Sequence, residues 1–316
     1  MKPLFKITPI VIVTLGLVFA SCRRDRMKTD STEPDETAVF SQHSSDVNST
    51  NNNADISMND AETALTESSL SGFRMASNTS ICNATIDTTQ LASQKKIIIT
   101  YNGNSCDGSR NRTGVVTLQL IAGAKWKDAG AVLSITYTNF KVTILSSGKS
   151  TTLNGTHVVT NVSGGIVAHI GLAPNPTTIV RKIRATNMSV TFDDGTVRSW
   201  SAARKRTWTG AAGVATSLTV EGDTILGGVA NTEVWGTNRA GKSFTTAMTT
   251  PLVVNSSCGW FSPVSGKKTH DVNGRISTIT FGTDANGNVV NTGCPNHYII
   301  NWTSHNGTPK QYIGSY

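Results

Sequence analysis

From Ile81 to Tyr316 apolar and polar residues alternate with period two, and no long helical period interrupts them. Ile97, Ile99 and Tyr101 share one parity, as do Leu133, Ile135 and Tyr137, and Met188, Val190 and Phe192. Near the end, Ile276, Thr278 and Thr280 oppose Ser277, Ile279 and Phe281. Successive side chains of a strand point to opposite faces, so this pattern of Thr, Val, Ile and aromatic residues predicts half-buried strands. Asn102-Gly103, Asn154-Gly155, Asp194-Gly195, Asn273-Gly274 and Asn286-Gly287 punctuate the runs. Such pairs supply the positive φ of tight hairpins. The expectation is an all-β antiparallel sandwich or elongated meander of many strands. It reads as one domain or as two halves, 78–172 and 173–316, divided near Pro174 and Pro176, which cannot donate to a ladder.

Four cysteines lie in this region: Cys82, Cys106, Cys258 and Cys294. Three pairings are possible, and neighbours in sequence give Cys82–Cys106 and Cys258–Cys294, one staple at each end. Each would close a loop of about 25–37 residues and stabilise the fold by roughly 3–4 kcal/mol. No CxxC spacing points to zinc, so no metal is expected.

Catalytic constellations are lacking. There is no HExxH and no GxSxG, and the Gly-rich stretches lack the strand–loop–helix setting of a phosphate cradle, so no nucleotide cofactor is expected. Asp284–Asn288 (DANGN) fits a hairpin turn better than a calcium loop, because its Gly comes too early and no Glu closes it. Asp193 and Asp194 are adjacent and face opposite ways on a strand. Glu221, Asp223 and Glu233 could converge as a carboxylate group. No catalytic residue is assigned.

The stretch VRSWSAARKRTWTG (197–210) is the strongest candidate for binding. As one strand it sets Trp200, Ala202, Arg204, Arg206 and Trp208 on a single face. A cationic stripe between two indoles suits an acidic sugar chain or nucleic acid, through ion pairing and stacking. The competing reading packs both indoles in the core and pairs the arginines with nearby carboxylates. It is the preferred one, since six tryptophans are ordinary core material for a β protein of this size.

The N-terminus is of another kind. Lys2 and Lys6 precede the uncharged run Ile7–Ala20, which is too short to span a bilayer core as a helix. Phe19-Ala20-Ser21-Cys22 follows. These residues resemble the lipobox of a bacterial lipoprotein signal, with Phe19 in place of the usual Leu. The resemblance implies removal of residues 1–21 and attachment of lipid to Cys22, and several acyl chains make a stable anchor. Arg23 after the cysteine implies sorting to the outer membrane of the cell envelope, with the membrane as partner. With its polar tether and Thr/Asn/Gly-rich β region, the chain resembles exported lipoproteins of Bacteroidota, a grouping that implies location and not activity.

Residues 22–77 are rich in Ser, Thr, Asn and Asp, and read as a disordered tether with a short helix at 59–73 and a solvated His43. Residues 23–74 carry 10 acidic and 5 basic residues, about −5, whereas residues 75–316 carry 21 basic and 10 acidic, about +11. The expected function is therefore non-enzymatic binding of an anionic polymer or surface, with acidic glycan, lipopolysaccharide or extracellular DNA as partners. Carbohydrate binding or processing, and a structural or assembly role in the envelope, are the alternatives.

Overall fold

The computed structural model describes residues 36–72 and 81–316. The signal segment, Cys22 and the remainder of the tether lie outside the described residues. The fold is all-β in its main body, as the alternation predicts. The strands are β1 (Ala84–Asp87), β2 (Lys96–Asn104), β3 (Arg110–Ala122), β4 (Ala131–Ile144), β5 (Ser150–Asn161), β6 (Thr178–Phe192) and β7 (Val197–Ala211). They continue with β8 (Val214–Gly222), β9 (Thr224–Leu226), β10 (Val229–Thr237), β11 (Ser243–Asn255), β12 (Pro263–Val272), β13 (Arg275–Thr283), β14 (His297–Thr303) and β15 (Pro309–Ser315).

All belong to one 15-stranded antiparallel sheet, in which almost every strand pairs with its neighbour in sequence. The exception lies between β7 and β11. There β10 pairs one end of both strands, aligning Ala202 with Val234, and β8 pairs the other, aligning Arg204 with Gly222. The loop with Pro174 and Pro176 joins β5 to β6, which pair directly from Thr151↔Phe192 to Asn161↔Arg181. The two expected halves are thus parts of one continuous sheet.

The period-two faces are as read. Ile97, Ile99, Leu133, Ile135, Val190 and Ile279 are fully buried, while Ile276 on the other parity of β13 is exposed. Three of the five expected turns are turns. Asn273-Gly274 is a two-residue hairpin with φ of 54° and 83°, the left-handed pair of a type I′ turn. Asp194-Gly195 and Asn286-Gly287 also lie between strands. Asn102-Gly103 and Asn154-Gly155 instead lie within β2 and β5.

For Asn154-Gly155 the reason is a crease. The register shifts between Thr113 and Val115, Tyr137 and Phe140, Asn154 and His157, and Ala185 and Met188, in successive strand pairs from β3 to β7. Gly114 (φ 96°), Asn139 (49°), Gly155 (121°) and Asn187 (50°) occupy these positions. A bulge bends its strand and increases twist, so a row of them across neighbouring strands curls the sheet. At Gly114 a Cβ would lie 2.1 Å from the Asn139 carbonyl oxygen, so close approach also requires glycine there.

The curl encloses α1 (Glu36–Glu67), a 32-residue helix. Residues 36–67, read from sequence as part of a disordered tether, are therefore ordered structure, and the short helix expected at 59–73 is the end of a much longer one. Phe40, Val47, Ala54 and Ala61 recur every seven residues, joined by Met58 and Leu65, and all are buried against the sheet. Seven-residue spacing keeps one stripe of a helix facing its partner, and each larger side chain so buried contributes about 1.5–3 kcal/mol. The polar residues that suggested disorder find partners on the strands. Asn53 donates to Thr151, and the Ser57 hydroxyl shares a hydrogen bond with Tyr137. Beyond Glu67 the chain is tied down by Trp126, whose backbone N–H donates to the Leu70 carbonyl at 2.8 Å.

The disulfides are Cys82–Cys106 and Cys258–Cys294, each with Cα atoms 5.2 Å apart. The first ties the start of the β region to the β2–β3 turn, and the second links the β11–β12 and β13–β14 loops.

Candidate functional site

The charge division seen in the sequence is resolved inside the sheet. Five carboxylates of α1 meet arginines from four strands, β3, β6, β7 and β13, and from the β10–β11 turn. Glu36 pairs with Arg275, Asp46 with Arg239 at 2.7 Å, Asp60 with Arg112 at 2.6 Å, and Glu62 with Arg181. Asp55 takes both Arg204 and Arg206. Indoles complete the pattern: Trp126 donates to Glu62 and Trp302 to Glu36, each at 3.2 Å.

Trp200, Arg204, Arg206 and Trp208 do share a face of β7, and that face is the interior one, with all four 0–6 % exposed. This is the preferred core reading, with the arginines paired to a carboxylate, and the strip proposed as an open binding surface is corrected to a buried one. Both terminal nitrogens of Arg204 donate to Asp55 at 3.0 Å, Arg206 donates to it at 3.1 Å, and the Arg206 guanidinium lies 4.6 Å from the centre of the Trp208 ring. Behind them sits Glu233, fully buried. It accepts from Asn51 at 3.1 Å, lies 3.4 Å from Arg204 Nε and pairs with Lys268 at 2.8 Å. Among the described residues three cations thus face two carboxylates in this cluster, which leaves one buried positive charge in excess. Burial would raise the Asp55 pKa, but Arg204 and Arg206 outweigh it and hold the carboxyl below its usual range. Burial lowers Arg206 to about 10, so it remains charged at neutral pH. Its Nε makes no hydrogen bond among the described residues.

Asp55, Arg204, Arg206 and Lys268 line a cavity of about 670 Å³, within the usual range for small-molecule sites. One wall is α1, through Ser45, Asn48, Ser49 and Asn52. Another is apolar, through Leu218 and Val220 of β8 and Leu252 and Val254 of β11. Trp260 and Phe261, on the loop tethered by the Cys258–Cys294 disulfide, also line it and are 38 % and 40 % exposed. Sequence reasoning found Arg204, Arg206 and Trp208, but it placed Glu233 with the wrong partners, read only the end of α1 as helix, and missed Lys268. The acidic excess before residue 75, opposite a basic remainder, was the available signal.

The other carboxylates do not converge. Glu221 pairs with Lys205 at 2.7 Å, Asp223 pairs with Lys182 and Arg184, and Glu233 lies in the buried cluster. Asp284 accepts from the backbone of Asn286 and Asn288, as a turn residue does. His43, read as solvated, is buried between the rings of Phe244 and His270 at 4.8 and 5.0 Å. Burial and the nearby Arg198 lower its pKa to about 3. Among the described residues no group of three or more His, Cys, Asp and Glu could hold a metal ion.

The fold and site together define an antiparallel β-sheet curled around a long acidic helix, with a cation-floored cavity between them. The chain matches no protein-family model, no curated protein and no solved structure.

Proposed function

We propose that this chain is an envelope lipoprotein, anchored through lipid on Cys22 and sorted to the outer membrane, that binds an anionic ligand without turning it over. The observation that supports this most is the excess of buried cations, Arg204, Arg206 and Lys268 against Asp55 and Glu233, beside a cavity of about 670 Å³. A fixed cationic cluster in a poorly hydrated site favours an anion more strongly than an exposed lysine would. The enclosed position of Arg204 and Arg206 suits a small acidic molecule, or the end of an acidic glycan or lipopolysaccharide, better than duplex DNA, which needs an open surface. Two-carboxylate hydrolysis of a sugar chain has less support, since Asp55 is the single Asp or Glu among the described cavity-lining residues and is held by two arginines.

The test is equilibrium binding of the full chain to matched acidic and neutral glycan ends and to lipopolysaccharide, at low and high salt. Acidic ligands should bind with salt sensitivity, and Arg206→Gln should weaken them at least tenfold while the far-ultraviolet spectrum stays unchanged. Equal affinity for neutral ligands, with no effect of Arg206→Gln, would reject the reading.

A further inference from the structure

We infer that the cavity takes an anionic amphiphile, a molecule with one acidic head and an alkyl chain. This rests on the anionic-ligand reading above and narrows it. The lining divides by chemistry. Its cationic part is Arg204, Arg206 and Lys268, with the Arg206 Nε free of any hydrogen bond among the described residues. Its apolar part is Leu218, Val220, Leu252 and Val254, which are 3–8 % exposed. A sugar or an inorganic anion would use the first part and leave the second without complementary surface. A neutral hydrocarbon would use the second and leave a buried cation excess uncompensated. An acidic head on an alkyl chain matches both.

The rim supports the same occupant. Trp260 and Phe261 are adjacent aromatics left substantially exposed beside an apolar wall, and they would cover a chain lying along it. Phe261 also stacks within 5.7 Å of the Arg110 guanidinium, another lining residue, so the rim adds a cation near the entrance. Asp55 does not oppose an anionic head strongly, because its charge is already shared between two guanidiniums.

The experiment is calorimetric titration of the full chain carrying Cys22→Ala, which leaves no acyl chain of its own to compete. The probes are inorganic phosphate, butyl, octyl and dodecyl phosphate, dodecanoate and dodecanol, each below its micelle concentration. Affinity for the alkyl phosphates should rise with chain length, by up to about fourfold for each methylene that becomes buried. Dodecanol should bind at least tenfold more weakly than dodecyl phosphate. Dodecanoate and dodecyl phosphate distinguish a fatty acid from a phosphate-headed lipid as the source of the head, and tight binding of either supports the proposal. The double variant Trp260→Ala, Phe261→Ala should weaken dodecyl phosphate at least fivefold. Chain-independent phosphate binding would overturn the amphiphile and leave the anionic reading standing. Dodecanol binding as tightly as dodecyl phosphate would overturn both. So would a failure of every probe to bind. Unchanged dodecyl phosphate affinity in the double variant would place the chain elsewhere and overturn the assignment.

Discussion

Arg204 holds Asp55 with both of its terminal nitrogens, each at 3.0 Å, and thereby pins the middle of α1 to the middle of the sheet. The two residues are 149 positions apart in sequence, so the contact is a pure product of folding. A buried ion pair contributes little net stability over a well-packed apolar pair, but removing one partner is costly because the other stays buried and charged. Asp55→Asn leaves two guanidiniums without their carboxylate. It should lower unfolding free energy by about 3–5 kcal/mol, read from denaturant melts. A loss below about 1 kcal/mol would mean that Arg204 and Arg206 find other partners.

Acid should unfold the protein through its interior histidines. Burial, with Arg198 nearby, depresses His43 to about 3. Burial depresses His157 to about 4, opposed by Asp55 and assisted by Arg204 and Arg206. His270 is lowered well below its ordinary value by burial, His43, Lys268 and Arg198. Each takes up a proton near pH 6.5 when unfolded and stays neutral when folded, so stability falls as pH drops from about 6.5 toward 4. The slope is on the order of 1 kcal/mol per histidine per pH unit. Asp55, held low by its arginines, adds to the loss as pH approaches the ordinary Asp value, whereas Asp60, raised by burial, acts in the opposite sense. Melts between pH 7 and 4 should show the decline, and His43→Phe should make it shallower. A flat profile would contradict the burial of these rings.

The crease predicts an asymmetry between glycines. Gly114 has φ of 96° and no room for a Cβ beside Asn139, whereas Gly195, at φ 79°, sits in an open turn. Gly195→Ala should cost about 1 kcal/mol, the penalty for a left-handed alanine. Gly114→Ala carries that penalty and a backbone clash, and should cost roughly 3 kcal/mol or more. Similar losses at the two positions, measured by thermal melts, would mean that the bulge row adjusts freely.

The proposed lipidation of Cys22 has its own readout. Expression of the full chain in a host that processes lipoproteins should yield a membrane-bound protein whose N-terminal peptide carries diacylglycerol and acyl mass. Cys22→Ala should release the protein from the membrane fraction. An unmodified soluble product from the unaltered chain would remove the anchor from the account.

The strands were legible because period two is a local property. Ile97, Ile99 and Tyr101 declare their face without reference to any other segment. The bulges were not, since Asn154-Gly155 has the letters of a hairpin and only the neighbouring strand shows that it is a crease. The helix was hidden for a similar reason. Asn51, Asn53, Ser57 and Asp55 look like solvated tether until Glu233, Thr151, Tyr137 and Arg204 are placed opposite them. The seven-residue recurrence of Phe40, Val47, Ala54 and Ala61 was present in the sequence, masked by small and polar residues between. The stripe of β7 was correctly assembled on one face, but which face met solvent depended on a partner that composition had assigned to disorder.

The functional account requires α1 in place, since the helix supplies one wall of the cavity and the carboxylate that sets Arg204 and Arg206. Hydrogen exchange of α1 amides in the full chain tests this most directly. The account predicts that amides around Val47, Ala54 and Met58 exchange as slowly as those of the central strands β4 and β6, because they open only with the whole sheet. Exchange of those amides at the rate of an unstructured peptide would show α1 to be a free tether, and would take the cavity and its ligand with it.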